Sequence, residues 1–210
     1  MLKIDNVSSY GWREAIHGMR NPMNSWEKSD SELTMFQGHV VDTIVGNNDL
    51  DLMKRLAKAG SADRKFMRMI VVYVDVTAPM YWWKEMDTYK VGTVRDSCST
   101  MHKITSKEFT LDDFSHEHLK PISENNLIIT IKMLNTCRYQ YTVYRNKDDW
   151  WQIIQLLPSS YNQKSTLMLN YEVLSNIYHQ RKNHKLDEWH VFCGWIKTLP
   201  YSELITGEEN

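Results

Sequence analysis

The strongest constraint on the fold is a change in hydrophobic period between residues 47 and 79. "NNDLDLMKRLAKAG" places Asn and Asp where a helix N-cap is expected, repeats apolar side chains at helical spacing and ends at Gly60. The following "KFMRMIVVYVDVTAP", residues 65–79, is rich in β-branched residues and ends at Pro79, which predicts a central strand. A helix followed directly by a central strand indicates a domain that combines helices with a sheet.

The rest of the chain is predicted in the same way. "MLKIDNV", residues 1–7, alternates as an edge strand does, and "SSYGWREAIHGMRNP", residues 8–22, predicts a short helix that ends near Asn21-Pro22. A polar loop is expected up to Ser31 and another around "DDFSHEHLKPIS". Residues 125–200 are rich in Leu, Ile and aromatics, and predict a largely helical half of one α+β domain that spans residues 1–210.

Composition excludes several classes of function. The 210 residues suit one domain, and 25 Lys and Arg against 26 Asp and Glu give a net charge of −1, so no basic field is available to attract nucleic acid. The longest apolar run, near "MIVVYV", is far shorter than the roughly 20 residues of a membrane span. Three widely spaced cysteines and the lack of an apolar N-terminal leader predict a reducing, cytoplasmic compartment.

"APMYWWKEMDTYKVGTVRDSCSTMHK", residues 78–103, mixes aromatic, charged and hydroxyl side chains too closely for a core or a free loop. We therefore expect it to line a site. Cys98 is a candidate nucleophile, because Lys90, Arg95 and His102 stand close enough in sequence to lower the pKa of its thiol. A buried, inert thiol is the alternative for Cys98.

No metal site is predicted. The nearest approaches to ligand spacing are His116 with His118 and His179 with His184, and a solvated loop is the better interpretation of the first pair. No Gly-rich phosphate loop is present, since Gly92 stands alone.

A helix from Asn170 to Arg181 would place these two residues at the ends of an apolar stripe that includes Leu174 and Ile177. Both polar residues could simply reach solvent at the ends of a core helix. The alternative is functional, because an arginine with a nearby amide suits a phosphate or an anionic heterocycle.

The quoted stretch resembles the signature of the flavin-dependent thymidylate synthases, RHRxxSxNExSxR, which follows a strand, an Ala-Pro pair and a short helix with aromatic residues. Ala78-Pro79 matches that pair, and "TYKVGTVRDSCST", residues 88–100, aligns with the signature without a gap. The conservative replacements are Lys90 for Arg, Thr93 for Ser, Asp96 for Glu and Cys98 for Ser. The departures are Thr88, Tyr89, Arg95 and Thr100, in place of Arg, His, Asn and Arg.

A second segment is similar to the family's helix NxRxxxNxxxxR. "NYEVLSNIYHQR" carries Asn170, Asn176 and Arg181 in register, with Glu172 in place of the first arginine. Downstream, Trp189 in "HKLDEWHVF" stands near the position of the tryptophan in the family's "HAQWEI". Upstream, "SADRKFMR" replaces the family's "HETPFEH", so the resemblance covers most of residues 50–195.

The resemblance implies a thymidylate-synthase-complementing-protein-like fold of the α+β class, with a twisted, mainly antiparallel sheet packed with long helices. It also implies a homotetramer that binds FAD between subunits. In this family a reduced flavin, charged by NADPH, passes a methylene group from methylenetetrahydrofolate to the small-molecule nucleotide dUMP and then supplies hydride.

The resemblance also implies roles for individual residues. Arg181 would stabilise charge on the pyrimidine as the catalytic residue and would bind the substrate. The implied flavin ligands are Asn170, Asn176, Tyr89, Lys90 and Asp96. The other implied substrate ligands are Glu85, Thr88, Cys98 and Thr100. Glu172 would repel the flavin unless a neighbour such as Lys90 neutralised it.

Two hypotheses follow. The first is a divergent FAD-dependent methyltransferase of the thymidylate synthase type. The second is an oligomeric nucleotide- or flavin-binding protein that retains the fold without turnover. Loss of both outer arginines of the signature favours the second, while retention of Asn170, Asn176 and Arg181 favours the first.

Overall fold

The computed structural model describes residues 2–37 and 39–208. In chain order, its strands and helices are β1 (Lys3–Tyr10), α1 (Trp12–Arg20), β2 (Glu32–Phe36), β3 (His39–Ile44), α2 (Asn47–Ala59), β4 (Val71–Pro79), α3 (Met80–Met86), β5 (Val94–Ser97), α4 (Pro121–Tyr144), α5 (Lys147–Leu156), β6 (Asn162–Asn170), α6 (Tyr171–Arg181), α7 (Asp187–Ile196) and α8 (Glu203–Thr206). Four strands form one sheet in the order β1-β4-β6-β5, and β2 pairs with β3 as an antiparallel hairpin.

The chain forms two compact units. Unit 1 contains Asp75–Thr88 and Asp96–Thr166 together with the chain up to Ile4. Unit 2 contains Asp5–Val74 and Tyr89–Arg95 together with the chain from Leu167 onward.

Unit 1 is organised around α4 and α5, which pack against each other. Pro121 occupies the first turn of α4, where its missing N–H costs nothing, and Arg145 ends the helix in the left-handed region with φ of 57°. Asn146 then caps α5 by accepting a hydrogen bond from the backbone N–H of Asp148. Leu134 and Ile153 are fully buried between the two helices and neighbouring apolar residues.

In unit 2, α6 packs against α7, α8 and a 3-10 turn over Arg64–Arg68. Most of α6 is buried, including Leu174 and Ile177, which are fully inaccessible. Ser175 donates a hydrogen bond to the backbone oxygen of Ile205 and so ties α6 to α8. This helix is the frame on which the candidate site is built.

A charged network inside unit 2 connects the loop after α1 to α2. Arg20 and Asp49 are both buried, and Arg20 Nε lies 2.6 Å from Asp49 Oδ1. Ser29 and Ser31 each donate to Asp49 Oδ2 at 2.6 Å. Burial raises the pKa of Asp49, but the hydrogen bonds from the two serines and from Arg20 outweigh it and hold the pKa below its usual value.

Several predicted elements are confirmed, although some boundaries were wrong. The helix predicted over 47–60 is α2, but its cap differs: Gly46 is the N-cap, and the side chain of Asp30 accepts from the N–H groups of Asn48 and Asp49. The central strand begins at Val71, because residues 64–68 form a 3-10 turn instead. The helix predicted over 8–22 is α1, while Met1 of the first predicted strand lies outside the described residues.

Two predictions need larger corrections. The C-terminal half is not only helical, because β6 occupies Asn162–Asn170. Its side chains alternate, with Ser165, Leu167 and Leu169 buried, which is the period of a strand. The expectation that residues 78–103 line a site is wrong for Trp82 and Trp83, which are buried on α3.

Candidate functional site

The candidate site begins where β6 passes into α6. Asn170 is the N-cap of α6, and its side-chain oxygen accepts a hydrogen bond of 3.0 Å from the N–H of Val173. Gly92 lies directly against this amide: a Cβ atom at Gly92 would sit 2.7 Å from Asn170 Nδ2. Gly92 has φ of +76°, which favours glycine. The loop from Tyr89 to Gly92 is therefore held against the start of α6.

The same loop meets the other end of α6 at Arg181. Arg181 Nε donates a 2.8 Å hydrogen bond to the hydroxyl of Tyr89, and that hydroxyl donates to Gln180 Oε1 at 2.9 Å. The guanidinium carbon lies 4.9 Å from the centre of the Trp189 ring and 5.6 Å from that of Tyr89. These cation–π contacts fix the direction of the half-buried arginine.

Asn170 and Arg181 are thus linked through one loop, which carries Tyr89 and Gly92. The structure places a fixed positive charge and an amide at the two ends of a single helix, with one short loop contacting both. An arginine that is oriented before a ligand arrives can bind an anionic group with little loss of entropy. Gln180 could not be predicted as part of this arrangement, because no pattern in the sequence connects it to Tyr89.

The opposite face of α6 carries Glu172 between two arginines. Glu172 Oε1 lies 3.2 Å from Arg64 Nε and 3.3 Å from Arg68 Nη2, while Oε2 accepts from Arg68 Nε. The hydrogen bond from Arg68, with the charges of both arginines, lowers the pKa of Glu172 even though burial raises it. The expected neutralising neighbour, Lys90, was therefore the wrong residue: Arg64 and Arg68 take that place.

Asn176 lies on this second face of α6, one helical turn beyond Glu172, and it is exposed. Its position on a different side of the helix from Asn170 and Arg181 agrees with the helical geometry. The sequence signal for this face is the basic segment Arg64–Arg68, of which residues 65–68 had been predicted to begin a strand.

The remaining predicted ligands fall into two groups. Lys90 is exposed in unit 2, and unit 1 holds Glu85, Thr88, Asp96, Cys98 and Thr100. Thr88 is exposed and its hydroxyl donates to the backbone oxygen of Glu85 at 2.7 Å. Asp96 is exposed, and Thr100 is half-buried.

Cys98 is exposed, so the alternative of a buried, inert thiol was wrong. Its backbone N–H donates to Lys164 O at 2.9 Å, and its carbonyl accepts from Gln163 Nε2 at 2.7 Å. The backbone of Cys98 is thereby fixed while its thiol faces solvent.

Within residues 2–37 and 39–208, no three side chains of the His, Cys, Asp or Glu type converge as metal ligands do. His116 is half-buried, with Nδ1 2.8 Å from the carbonyl oxygen of Phe114, and His118 is exposed. Over the same residues, none of the helices has the length and apolar character needed to cross a membrane.

Comparison with solved structures identifies the fold. Thymidylate synthase X from Helicobacter pylori, solved with FAD and dUMP, superposes with a TM-score of 0.71 at 15% identity over 99% of this chain and 98% of that one. The protein has the fold of the flavin-dependent thymidylate synthases. A second structure of the H. pylori enzyme with FAD and dUMP gives a TM-score of 0.69 at 15% identity, over 97% of this chain and 99% of the other.

A related fold is that of the UMP/dUMP methylase PolB from Streptomyces cacaoi, solved with 5-Br UMP. Its TM-score is 0.59 at 10% identity, over 99% of this chain and 94% of that chain. No protein-family model and no curated protein matches the sequence. The predicted α+β fold is therefore confirmed by the three-dimensional likeness.

Proposed function

We propose that this protein is a divergent FAD-dependent enzyme of pyrimidine nucleotide metabolism, a methyltransferase of the thymidylate synthase type. The observation that carries the proposal is Arg181, held by the Tyr89 hydroxyl and the Trp189 ring at the end of α6. Proteins of similar fold were solved with FAD and with uracil nucleotides. In the proposed reaction, a methylene group passes from methylenetetrahydrofolate to a dUMP-like nucleotide, with NADPH as reductant.

The residues of α6 and its neighbours fit a flavin dinucleotide. Asn176 presents an exposed amide, and the carboxylate of Glu172 is neutralised, since two arginines around one glutamate leave a net charge of +1. Bound FAD would supply the hydride. The protein's part would be to hydrogen-bond the flavin with Asn170 and Asn176, which lie on different sides of α6 and would act from different subunits, and to stabilise negative charge on the pyrimidine with Arg181.

The residues proposed to bind the substrate differ from those that bind dUMP in the family's signature. Thr88, Cys98 and Thr100 stand at the signature positions of two arginines and a serine, so two positive charges are missing. Each charge-assisted hydrogen bond contributes about 1.5–3 kcal/mol, so affinity for dUMP would fall by two orders of magnitude or more. Lys84, Lys90 and Arg95 are the candidates to offset part of this loss, and a modified pyrimidine nucleotide is the expected substrate.

Complementation of a thymidine-requiring bacterial strain, together with calorimetric titration of dUMP, tests this function. We expect poor growth without thymidine, weak dUMP binding, and loss of any activity in Arg181→Ala but not in His116→Ala. Robust growth with micromolar dUMP binding would contradict the altered substrate and restore an ordinary thymidylate synthase.

The second candidate is a nucleotide- or flavin-binding protein without turnover. It is favoured by the exposed, neutral side chains of Thr88 and Cys98 at positions where the signature has charge or a serine. Bound flavin that NADPH or a chemical reductant reduces without oxygen, and that no pyrimidine nucleotide with methylenetetrahydrofolate then reoxidises, would decide for this candidate.

We further propose that the protein assembles as a homotetramer and is cytoplasmic. The free thiols of Cys98, Cys137 and Cys193 support a reducing compartment. The tetramer is supported by an exposed apolar stripe along α4, which we call the α4 stripe: Ile122, Ile129, Met133, Val143 and Tyr144. Asn126, Thr136 and Gln140 complete it, so a second copy of the chain would meet no like charge. The stripe is about 33 Å long at 1.5 Å per residue, which suits an interface burying about 800 Å² per partner.

Sedimentation of the wild type and of Met133→Lys tests this assembly, with Lys132→Met on the same helix as a control for net hydrophobicity. A tetramer that Met133→Lys dissociates supports the α4 stripe as an interface. A stable monomer at micromolar concentration would rule the tetramer out.

A further inference from the structure

A cavity of about 180 Å³ lies in unit 2 between α2, α6 and α8. Its charged lining comprises four basic side chains and two acidic ones: Lys54, Lys58, Arg64, His179, Glu203 and Glu208. The cavity is smaller than the roughly 300–1,000 Å³ of a drug-sized ligand site. It therefore has room for one compact group, or for one end of a larger molecule.

The acidic side chains of this cavity are already engaged. Glu203 lies 3.4 Å from Lys54 Nζ. Glu208 accepts from Lys197 Nζ at 3.0 Å and from the Tyr178 hydroxyl at 2.7 Å. These contacts lower the pKa of Glu208, the hydrogen bond from Tyr178 most of all, and its charge is matched by lysine. The unbalanced charge of the lining is consequently positive.

Lys58, Arg64 and His179 supply that positive or hydrogen-bonding character. Within the described residues, Lys58 has no carboxylate within ion-pair distance. Arg64 uses only Nε to bind Glu172, so that four of its five N–H donors remain for another acceptor. His179 is exposed at the same cavity, on the face of α6 that also carries Asn176.

Glu172 and Arg68 give Arg64 a defined direction. The Glu172 side chain is only 10% exposed, and it accepts from both arginines. A carboxylate that is buried and bound from two sides cannot move to follow a flexible arginine. Arg64 is thus fixed as a donor at the cavity before any anion binds, which is the arrangement that lowers the entropic cost of binding.

We propose that this cavity binds a phosphate group through Arg64, Lys58 and His179, with Glu172 and Arg68 as positioning residues. A tetrahedral oxyanion can accept from a fixed guanidinium, an ammonium and an imidazole at once, and charge-assisted hydrogen bonds of this kind are short and strong. The group can be free phosphate, the phosphate of a nucleotide or the diphosphate of FAD. The FAD case rests on the proposed function.

Titration with inorganic phosphate at constant ionic strength, followed by calorimetry, tests the site. Lys58→Gln and Arg64→Gln remove one charge each, and Lys65→Gln is the matched control, because Lys65 is exposed on the same 3-10 turn but does not line the cavity. We expect each of the first two variants to bind phosphate about tenfold more weakly or worse, and the control to bind as the wild type does. Lys58→Gln leaves Glu172 and its partners intact, so its result does not depend on the folding of the Arg64 variant.

Competition then identifies the source of the phosphate. Displacement of inorganic phosphate by FAD but not by riboflavin supports the diphosphate of FAD, displacement by dUMP supports the nucleotide, and displacement by neither supports a free phosphate site. Equal phosphate binding by the wild type, Lys58→Gln and Arg64→Gln would overturn the inference, whatever FAD does. Failure of FAD to bind anywhere would contradict the proposed function and leave the phosphate result standing.

Discussion

Replacing Gly92 with alanine tests how the loop and the α6 helix are joined. The new Cβ atom would lie 2.7 Å from Asn170 Nδ2 and 3.2 Å from Val173 Cγ2, at a backbone φ of +76°. The side chain of Asn170 must then move, and it cannot do so without disturbing the hydrogen bond that caps α6. The perturbation therefore acts on both the loop and the first turn of the helix.

The cost can be estimated from these contacts. A left-handed conformation costs a residue with a Cβ about 1–2 kcal/mol, and loss of an Asn cap costs about 0.5–2 kcal/mol. The lower entropy of the unfolded alanine variant returns about 0.4–1 kcal/mol. A net loss of about 1–3 kcal/mol lowers the Tm of a chain of this size by about 2–12 °C.

Thermal unfolding of Gly92→Ala, Asn170→Ala and the double variant measures the loss of stability and shows whether it arises through the Asn170 cap. Because both single changes disturb the same cap, we expect the double variant to lose less stability than the sum of the two. Gly194→Ala is the matched control: Gly194 lies within α7 with open space around a Cβ, so the change should leave the Tm unchanged or raise it. A neutral Gly92→Ala, or strict additivity with Asn170→Ala, would refute the reasoning.

Two further predictions concern buried charge and the orientation of the arginine. Asp49→Asn leaves Arg20 buried without its carboxylate and should lower the free energy of unfolding by about 3–5 kcal/mol. Because the folded pKa of Asp49 is lowered, its contribution to stability is complete above about pH 4 and is lost as the pH falls through the folded pKa. The difference in Tm between the wild type and Asp49→Asn should therefore shrink in acid. A difference that grew in acid would contradict the assignment. Tyr89→Phe removes the hydroxyl that bridges Arg181 and Gln180. It should weaken the binding of a pyrimidine nucleotide several-fold and lower the free energy of unfolding by about 0.5–1.5 kcal/mol. Unchanged nucleotide binding in calorimetry would show that Tyr89 is not part of the site.

The elements that sequence could predict are those whose signal is local. α2 and β4 each carry a hydrophobic period of their own, and α6 begins at an Asn that caps it. β6 was not predicted, although the buried residues Ser165, Leu167 and Leu169 alternate with less buried ones. The surrounding Leu-rich sequence favours helices. The β2–β3 hairpin was missed because its exposed apolar side chains follow no pattern of burial.

The candidate site divides in the same way. Asn170 and Arg181 could be found from their spacing on one helix, since their relation is fixed by helical geometry. Glu172 and its two arginines could not, because Arg64 and Arg68 are 108 and 104 residues away along the chain. Opposite charges so far apart in the chain form an ion pair only once the tertiary fold brings them together. The sequence alone does not show which arginine will contact Glu172.

The central claim is that this fold still holds a flavin, and reconstitution of the purified protein with FAD tests it most directly. After removal of free cofactor, the absorption spectrum should show bound flavin. Asn176→Ala should lower the retained fraction more than His116→Ala, whose side chain lies in unit 1 against the Phe114 carbonyl. A wild-type protein that retains no flavin would contradict the claim. Equal retention by the two variants would show that Asn176 is not part of the flavin site.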